Sequence, residues 1–310
     1  MSPDVLSTAA GAVTATTFDP GRSGRLFADV KASGRGALVG FLHVGYPDVP
    51  TSLRAVQALC GVDGDERRPG VDLVEVGMPY SDPMMDGVTI QRAGTRALSR
   101  GVRTRDTFAA VEAVAATGTQ AVVMTYWSLI EKYGPDAFAR DLAAAGGSGA
   151  ITPDLTPDEA GAWIAASDAH DLDRIFLLSP SSTDQRIAST LAACRGWVYA
   201  TAVMGVTGAR SQSSSAAPAL VERIRRSDPG ALVGVGLGVS TGAQAREVVG
   251  YADAAIVGSA LVATLLAAED AGTPDDLSGL RAVVDDLVAG VHGDHVAGVQ
   301  HGGTDDDDRA

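Results

Sequence analysis

A closed (β/α)8 barrel in a single domain is the α/β fold class this sequence predicts, and three observations predict it. Eight short apolar or β-branched runs are separated by helix-like segments. Alternating strands and helices mean a parallel sheet. Eight such units over about 250 residues match a closed barrel rather than an open doubly wound sheet. The one pattern favouring the open sheet, Gly234-Val235-Gly236-Leu237-Gly238, lacks the spacing of the dinucleotide fingerprint and comes late in the chain.

The strand-like runs fall at 37–44, 71–77, 121–127, 149–155, 174–179, 197–204, 231–238 and 254–258. Helix-like segments lie at 51–60, 104–117, 135–145, 157–167, 184–194, 217–227 and 241–250, several opening on Ser, Thr, Asp or Pro. Residues 88–98 add a helix between the second and third strands, and a short apolar helix opens at Ala260. We expect residues 1–23 to be a flexible lead-in and 24–291 to be the barrel. Residues 292–310, with the aspartate run at 305–308, are expected to form a solvated acidic tail.

The chain has 310 residues, is 45% hydrophobic and 5% aromatic, and carries a formal charge of −14. Its core must therefore be aliphatic. The charge argues against nucleic acid or an anionic membrane as the main partner. Small anions remain possible ligands through backbone amides. Two distant cysteines, Cys60 and Cys194, read as buried thiols of a reduced compartment, with no metal site. No secretion signal or membrane span is evident, so a cytoplasmic protein is expected.

The chemistry concentrates at residues 73–91. Strand side chains alternate faces, so Leu73 and Glu75 point into the barrel while Val74 and Val76 face the helices. Glu75 lies near the C-terminal end of its strand, where barrel enzymes keep their chemistry. Burial should raise its pKa and make it a general acid and base. The competing reading is a structural Glu paired with an internal cation. Arg174 alone among the strand-run cations offers itself, at a strand start. Asp82-Pro83 and Asp86-Gly87 follow in a loop, and a turn role would suffice for either dipeptide.

Glycines recur at the junctions after strands seven and eight, in Gly236-Leu237-Gly238 and Gly258-Ser259. Barrels often bind phosphate there, with backbone amides at a helix N-terminus. A third loop, Gly205-Val206-Thr207-Gly208, follows strand six and could close over a ligand.

With these residues in hand, the chain resembles the tryptophan synthase alpha subunit family. The stretch from Glu75 through Pro79-Tyr80-Ser81-Asp82-Pro83 to Asp86-Gly87 and Thr89-Ile90-Gln91 is similar to that family's signature segment without gaps. Gly45-Tyr46-Pro47, Met124-Thr125-Tyr126, Pro153-Asp154-Leu155, the loop from Gly205 and Gly258-Ser259 follow in family order. The resemblance implies a TIM barrel that cleaves indole-3-glycerol phosphate to indole and glyceraldehyde 3-phosphate by a retro-aldol lyase step. It implies no cofactor in this subunit. Glu75 would be the acid and base, and Asp86 would accept the indole N–H. Phe41, Ile90, Tyr126 and Leu237 would wall the pocket, with Tyr199 beside Glu75. Gly208, Gly238, Gly258 and Ser259 would hold the phosphate, and Thr207 would orient Asp86. A beta subunit carrying pyridoxal phosphate would be the partner, in an alpha2beta2 heterotetramer, with Asp82 as an ionic contact. A stand-alone lyase releasing free indole, or a non-catalytic barrel that only activates a beta subunit, are the alternatives.

The chain departs from the family pattern in four places. His43 replaces a small or hydroxyl residue or proline at the pocket mouth. Ser128-Leu129 replaces an Asn-Pro, which bears on the partner surface more than on the chemistry. Trp127 and Leu237 stand where Tyr or Phe are frequent, and 61–70 is a polar insertion. A polar wall residue is the reading for His43, rather than a catalyst.

Overall fold

The computed structural model describes residues 18–201, 210–236 and 238–293. Its strands are β1 (Ala37–His43), β2 (Leu73–Gly77), β3 (Gln120–Met124), β4 (Gly149–Ile151), β5 in two pieces (Asp173–Ile175 and Leu177–Leu178), β6 (Val198–Thr201), β7 (Val233–Gly236) and β8 (Ala254–Val257). The helices are α1 (Ser23–Ala32), α2 (Val49–Leu59), α3 (Val88–Ser99), α4 (Thr104–Ala115), α5 (Trp127–Tyr133), α6 (Pro135–Ala144), α7 (Gly161–Ala169), α8 (Asp184–Ala193), α9 (Arg210–Ser227), α10 (Gly242–Val249), α11 (Ser259–Asp270) and α12 (Ser278–His292).

All strand pairings in the sheet are parallel, and β1 lies between β8 and β2. The ring closes at β5. Its first piece pairs with β4 and its second with β6, and buried Phe176 sits at the break. The result is a (β/α)8 TIM barrel. Every residue of β1, β2 and β8 is buried, as a parallel sheet covered on both faces requires.

The strands are shorter than the apolar runs that predict them. Trp127, expected at a strand end, opens α5, because the chain leaves β3 at Met124. Caps fix several helix starts. Asp48 accepts the Thr51 N–H, Thr183 that of Arg186 and Thr241 that of Gln244. Cys194 is buried but Cys60 is only partly so, and both are free thiols at helix C-termini. The polar insertion forms a small hairpin, Val62–Asp63 against Glu66–Arg67. Residues 18–22, assigned above to the lead-in, pack onto the barrel: Phe18 is buried and Asp19 bridges to Arg195.

Three carboxylates staple the N-terminal end of the barrel. Asp72, just before β2, receives two bonds from Arg35 at 2.8 and 2.7 Å and the Leu38 N–H at 2.8 Å. Asp253, just before β8, receives Lys31, Arg225 and the Val233 N–H. Asp173 opens β5 fully buried and accepts the N–H groups of Arg22 and Ser23 and the Ser23 hydroxyl. Replacing Asp173 with Ala strands those donors in the interior. We expect a loss of about 3 kcal/mol in unfolding free energy, read by chemical denaturation. A loss within about 0.5 kcal/mol, typical of a surface change, would contradict the staple.

Candidate active site

Glu75 sits at the centre of β2, flanked in register by Phe41 of β1 and Val122 of β3. Its side chain is buried, and among the described residues Glu75 Oε2 has no hydrogen-bond partner. A carboxylate there pays full desolvation, with no cation among the described residues to offset it. Burial first, and the nearby Asp86 charge second, push the Glu75 carboxyl up to about 8. The competing structural reading fails on geometry, since Arg174 is taken up by Asp168, Ser167 and the Ala193 carbonyl.

Asp86 lies in the loop between β2 and α3 and is half-buried. Burial raises its carboxyl to about 6. The loop is fastened from both sides. Gln91 of α3 donates its side-chain amide to the carbonyls of Asp86 (2.8 Å) and Pro83 (3.4 Å). The Met85 N–H donates to the Tyr126 hydroxyl at 3.0 Å, and Tyr126 stacks on Tyr80 at 4.7 Å. Ser128 donates to the Tyr80 hydroxyl, and Asp154 accepts the Trp127 N–H at the start of α5. Tyr80 and Gln91 stand inside the signature segment, yet their fastening roles escaped the sequence reading. Gln91 was legible, being one turn past the N-cap Gly87 of α3 and so pointing back at the loop.

Phe41, Ile90 and Tyr126 are buried around these carboxyls. Tyr199 of β6 faces the same interior. Burial, then the charges of Glu75 and Asp86, push its phenol well above the ordinary value. Gly236 makes room for that ring: a Cβ there would lie 2.4 Å from the Tyr199 hydroxyl. At the end of the neighbouring strand β8, Gly258 is the N-cap of α11 and a Cβ on it would rest against the Phe41 side chain. Ser259 follows, exposed, at the first turn of that helix. Gly238 is exposed with φ +69, a backbone shape that favours glycine. Thr207, Gly208 and Leu237 lie outside the described residues. Asp82 is exposed and accepts the Ser81 hydroxyl, so it stands apart from the Glu75 pocket. Met84, Met85 and Val88, on the same loop and the start of α3, are exposed apolar side chains.

His43 is buried beside Phe41, ring to ring at 5.1 Å, with Nδ1 3.3 Å from the Gly77 carbonyl. Burial lowers its pKa to about 4, so it is neutral at pH 7 and fits a wall role. Among the described residues, no cluster of His, Cys, Asp and Glu could hold a metal ion. No helix among them is long and apolar enough to cross a membrane. A cleft of about 460 Å³ opens at the other end of the barrel, lined by Lys31, Arg35, Arg246 and Asp253. Its cations are already spent on Asp253, Asp72 and the carbonyls of Ala289 and Gly290.

The family model for the tryptophan synthase alpha chain matches residues 27–286. The chain belongs to the tryptophan synthase alpha chain family. The alpha chain of Mycobacterium avium strain 104 is 57% identical over 270 residues, covering 87% of this chain and 94% of that one. A solved Mycobacterium tuberculosis tryptophan synthase superposes with a TM-score of 0.79 at 55% identity, covering 88% of this chain and 99% of the other. The tryptophan synthase a2b2 complex of Pyrococcus furiosus has a chain that matches with a TM-score of 0.70 at 31% identity, over 82% of this chain and 98% of that one. The matched range 27–286 takes in Glu75, Asp86 and the loop that Gln91 and Tyr126 fasten.

The raised Glu75 pKa has a stability consequence in this alpha chain. The native carboxyl keeps its proton up to about pH 8, whereas an unfolded Glu releases it near 4.5. Native stability therefore falls as pH rises between those values. Glu75→Gln removes that slope. At pH 9 we expect the variant to be more stable than wild type, on the order of 2–4 kcal/mol, with the gap shrinking towards pH 5. Urea unfolding at the two pH values reads it, and a variant equally or less stable at pH 9 would contradict a desolvated Glu75.

Proposed function

We propose that Glu75 and Asp86 carry the retro-aldol cleavage of indole-3-glycerol phosphate in this alpha chain, releasing indole and glyceraldehyde 3-phosphate. The protein is a carbon–carbon lyase of tryptophan biosynthesis. The observation that carries the residue assignment is the buried Glu75 carboxyl, whose Oε2 has no partner among the described residues, near the shallower Asp86. Near pH 7 a carboxyl at about 8 is mostly protonated and one at about 6 is mostly ionised. Environments that push two carboxyls to opposite sides of neutrality assign the acid and the anion.

The steps follow from that difference. Glu75 gives its proton to indole C3, forming a cationic ring tautomer. Asp86 accepts the indole N–H and stabilises the positive charge as it develops. The Glu75 carboxylate then takes the proton of the glycerol hydroxyl. The C–C bond breaks, its electrons neutralise the ring, and the hydroxyl carbon becomes the aldehyde. Glu75 ends protonated again, so no cofactor is needed for the step. Phe41, Ile90, Tyr126, Tyr199 and Leu237 would enclose the indole and exclude water, with Thr207 orienting Asp86. Gly208, Gly238, Gly258 and Ser259 would hold the phosphate through N–H and hydroxyl donors at the α11 start.

The exposed Met84, Met85 and Val88 beside Asp82 support a docking face for a tryptophan synthase beta chain in an alpha2beta2 assembly. Pyridoxal phosphate would belong to that partner, and we place the complex in the cytoplasm. Indole release from indole-3-glycerol phosphate, with and without a beta chain, tests the reading. We expect slow release that rises many-fold with the partner. Glu75→Gln should lose about 10²–10⁴-fold in kcat with a small change in KM, and Asp86→Asn should lose less. Near wild-type turnover of Glu75→Gln would sink the assignment. Fast release indifferent to the partner would favour a stand-alone lyase.

A further inference from the structure

Two helices that are extra to the eight-fold repeat, α3 and α11, lie side by side across β1. They are joined by charge. Arg92, Arg96 and Arg100 follow at every fourth position of α3 and its C-cap, so they share one face. Arg92 grips Asp270 of α11 with two bonds of 2.9 Å. Arg96 and Arg100 both bond Glu269, one to each oxygen. Tyr46, on the loop after β1, donates its hydroxyl to Glu269 at 2.6 Å, and Arg100 lies over its ring at 5.9 Å. Arg100 also donates to the Pro47 carbonyl at 2.7 Å.

Three stacked guanidinium groups repel one another and weaken an isolated helix. α3 has no acidic residue of its own to relieve them. Glu269 and Asp270 relieve that repulsion, while Ile90, Ala93 and Ala97 are buried on the helix's apolar face. Isolated exposed ion pairs contribute little, but these share carboxylates, a bidentate grip and a phenol, and the Glu269 side chain is only 17% exposed. The two helices also end at different parts of the site. α11 begins at Ser259, the proposed phosphate cradle. α3 begins directly after Asp86-Gly87, carries the wall residue Ile90, and fastens the Asp86 backbone through Gln91.

We propose that the α3–α11 arginine ladder couples occupancy of the phosphate end to the placement of the Asp86 loop, making Arg96 and Glu269 positioning residues. A phosphate that draws in the first turn of α11 moves a rigid rod. The ladder transmits that movement to α3 and so to the carbonyl of Asp86. The inference rests on the lyase reading for the identity of the two ligands.

The test uses equilibrium binding. Indole affinity is measured by calorimetry with and without glycerol 3-phosphate, a phosphate probe that cannot react with indole. In the wild-type chain glycerol 3-phosphate should tighten indole about 5-fold or more. In Glu269→Gln and in Arg96→Met the factor should fall towards one, and kcat should drop about 10-fold while KM for indole-3-glycerol phosphate changes less than about 3-fold. Arg96→Lys should keep part of the coupling if charge across the helices is what matters. A factor unchanged in folded Glu269→Gln and Arg96→Met, or absent in the wild type, overturns the proposal. Absence of cleavage by the wild-type chain with its beta partner would instead overturn the lyase reading, and the binding factor would still be readable.

Discussion

A carboxyl buried in the middle of a parallel strand, with no counter-ion among the described residues, is the constraint around which the molecule is arranged. Strand β2 is covered on both faces, so every position on it is apolar by default. Glu75 breaks that rule, and among the described residues its Oε2 has no hydrogen-bond partner and no cation is bridged to it. The opposite end of the barrel is arranged differently. There Asp72, Asp173 and Asp253 open or precede their strands, and each is satisfied by backbone N–H groups and by Arg, Lys or Ser side chains. Paired carboxylates at the N-terminal face fit the stabilising role that the bottom of a barrel usually has.

Depth separates the two carboxyls at the C-terminal face. Glu75 is fixed by the strand and fully enclosed. Asp86 sits on a loop, and its burial depends on how that loop is held. Tyr126, Gln91 and the stacked Tyr80 hold it from the protein side. The outer side of the loop carries Met84 and Met85, with Val88 next to them, open to solvent. A surface that covers those side chains also removes water near Asp86. An anion in a drier setting attracts a ring cation more strongly. If the beta chain docks on this loop as proposed, docking and stabilisation of a ring cation would act through one short segment, a physical route for activation without any new catalytic group.

Much of this was legible in the sequence because it is local. Inward-facing Glu75 follows from strand alternation, and α2, α8 and α10 start where Asp48, Thr183 and Thr241 cap them. The sequence reading names no helix before residue 37, yet α1 occupies Ser23–Ala32. Nor does it name α12, which spans Ser278–His292. Neither opens on a side-chain cap, so the usual start signal is missing. α1 is anchored instead by Asp173, 150 residues away from Ser23. The arginine ladder escaped for a similar reason. Its spacing on α3 is visible, but its partners lie 173 residues further on, between Arg96 and Glu269. The strand ends erred because apolar runs continue into turns, as at Trp127, where Asp154 accepts the N–H that starts α5. Distance in sequence hid the anchors of α1 and the partners of the ladder, while the strand ends were blurred by apolar residues that continue into turns.

The departure at His43 looks hazardous for the acid role proposed for Glu75, since a nearby imidazolium would stabilise the Glu75 anion and pull its pKa down. The same desolvation prevents it. Burial penalises whichever form carries charge, so it keeps the Glu75 carboxyl protonated and the His43 ring deprotonated. At pH 7 both groups are neutral, although one is an acid and the other a base. Space for the ring comes from two glycines, for a Cβ at Gly77 would meet Nδ1 at 2.9 Å and one at Gly94 would meet Nε2 at 3.1 Å. A histidine is thus admitted to this wall on the same terms as an apolar residue. Its polarity is absorbed by the Gly77 carbonyl, and the proton affinity of Glu75 is left to burial and Asp86.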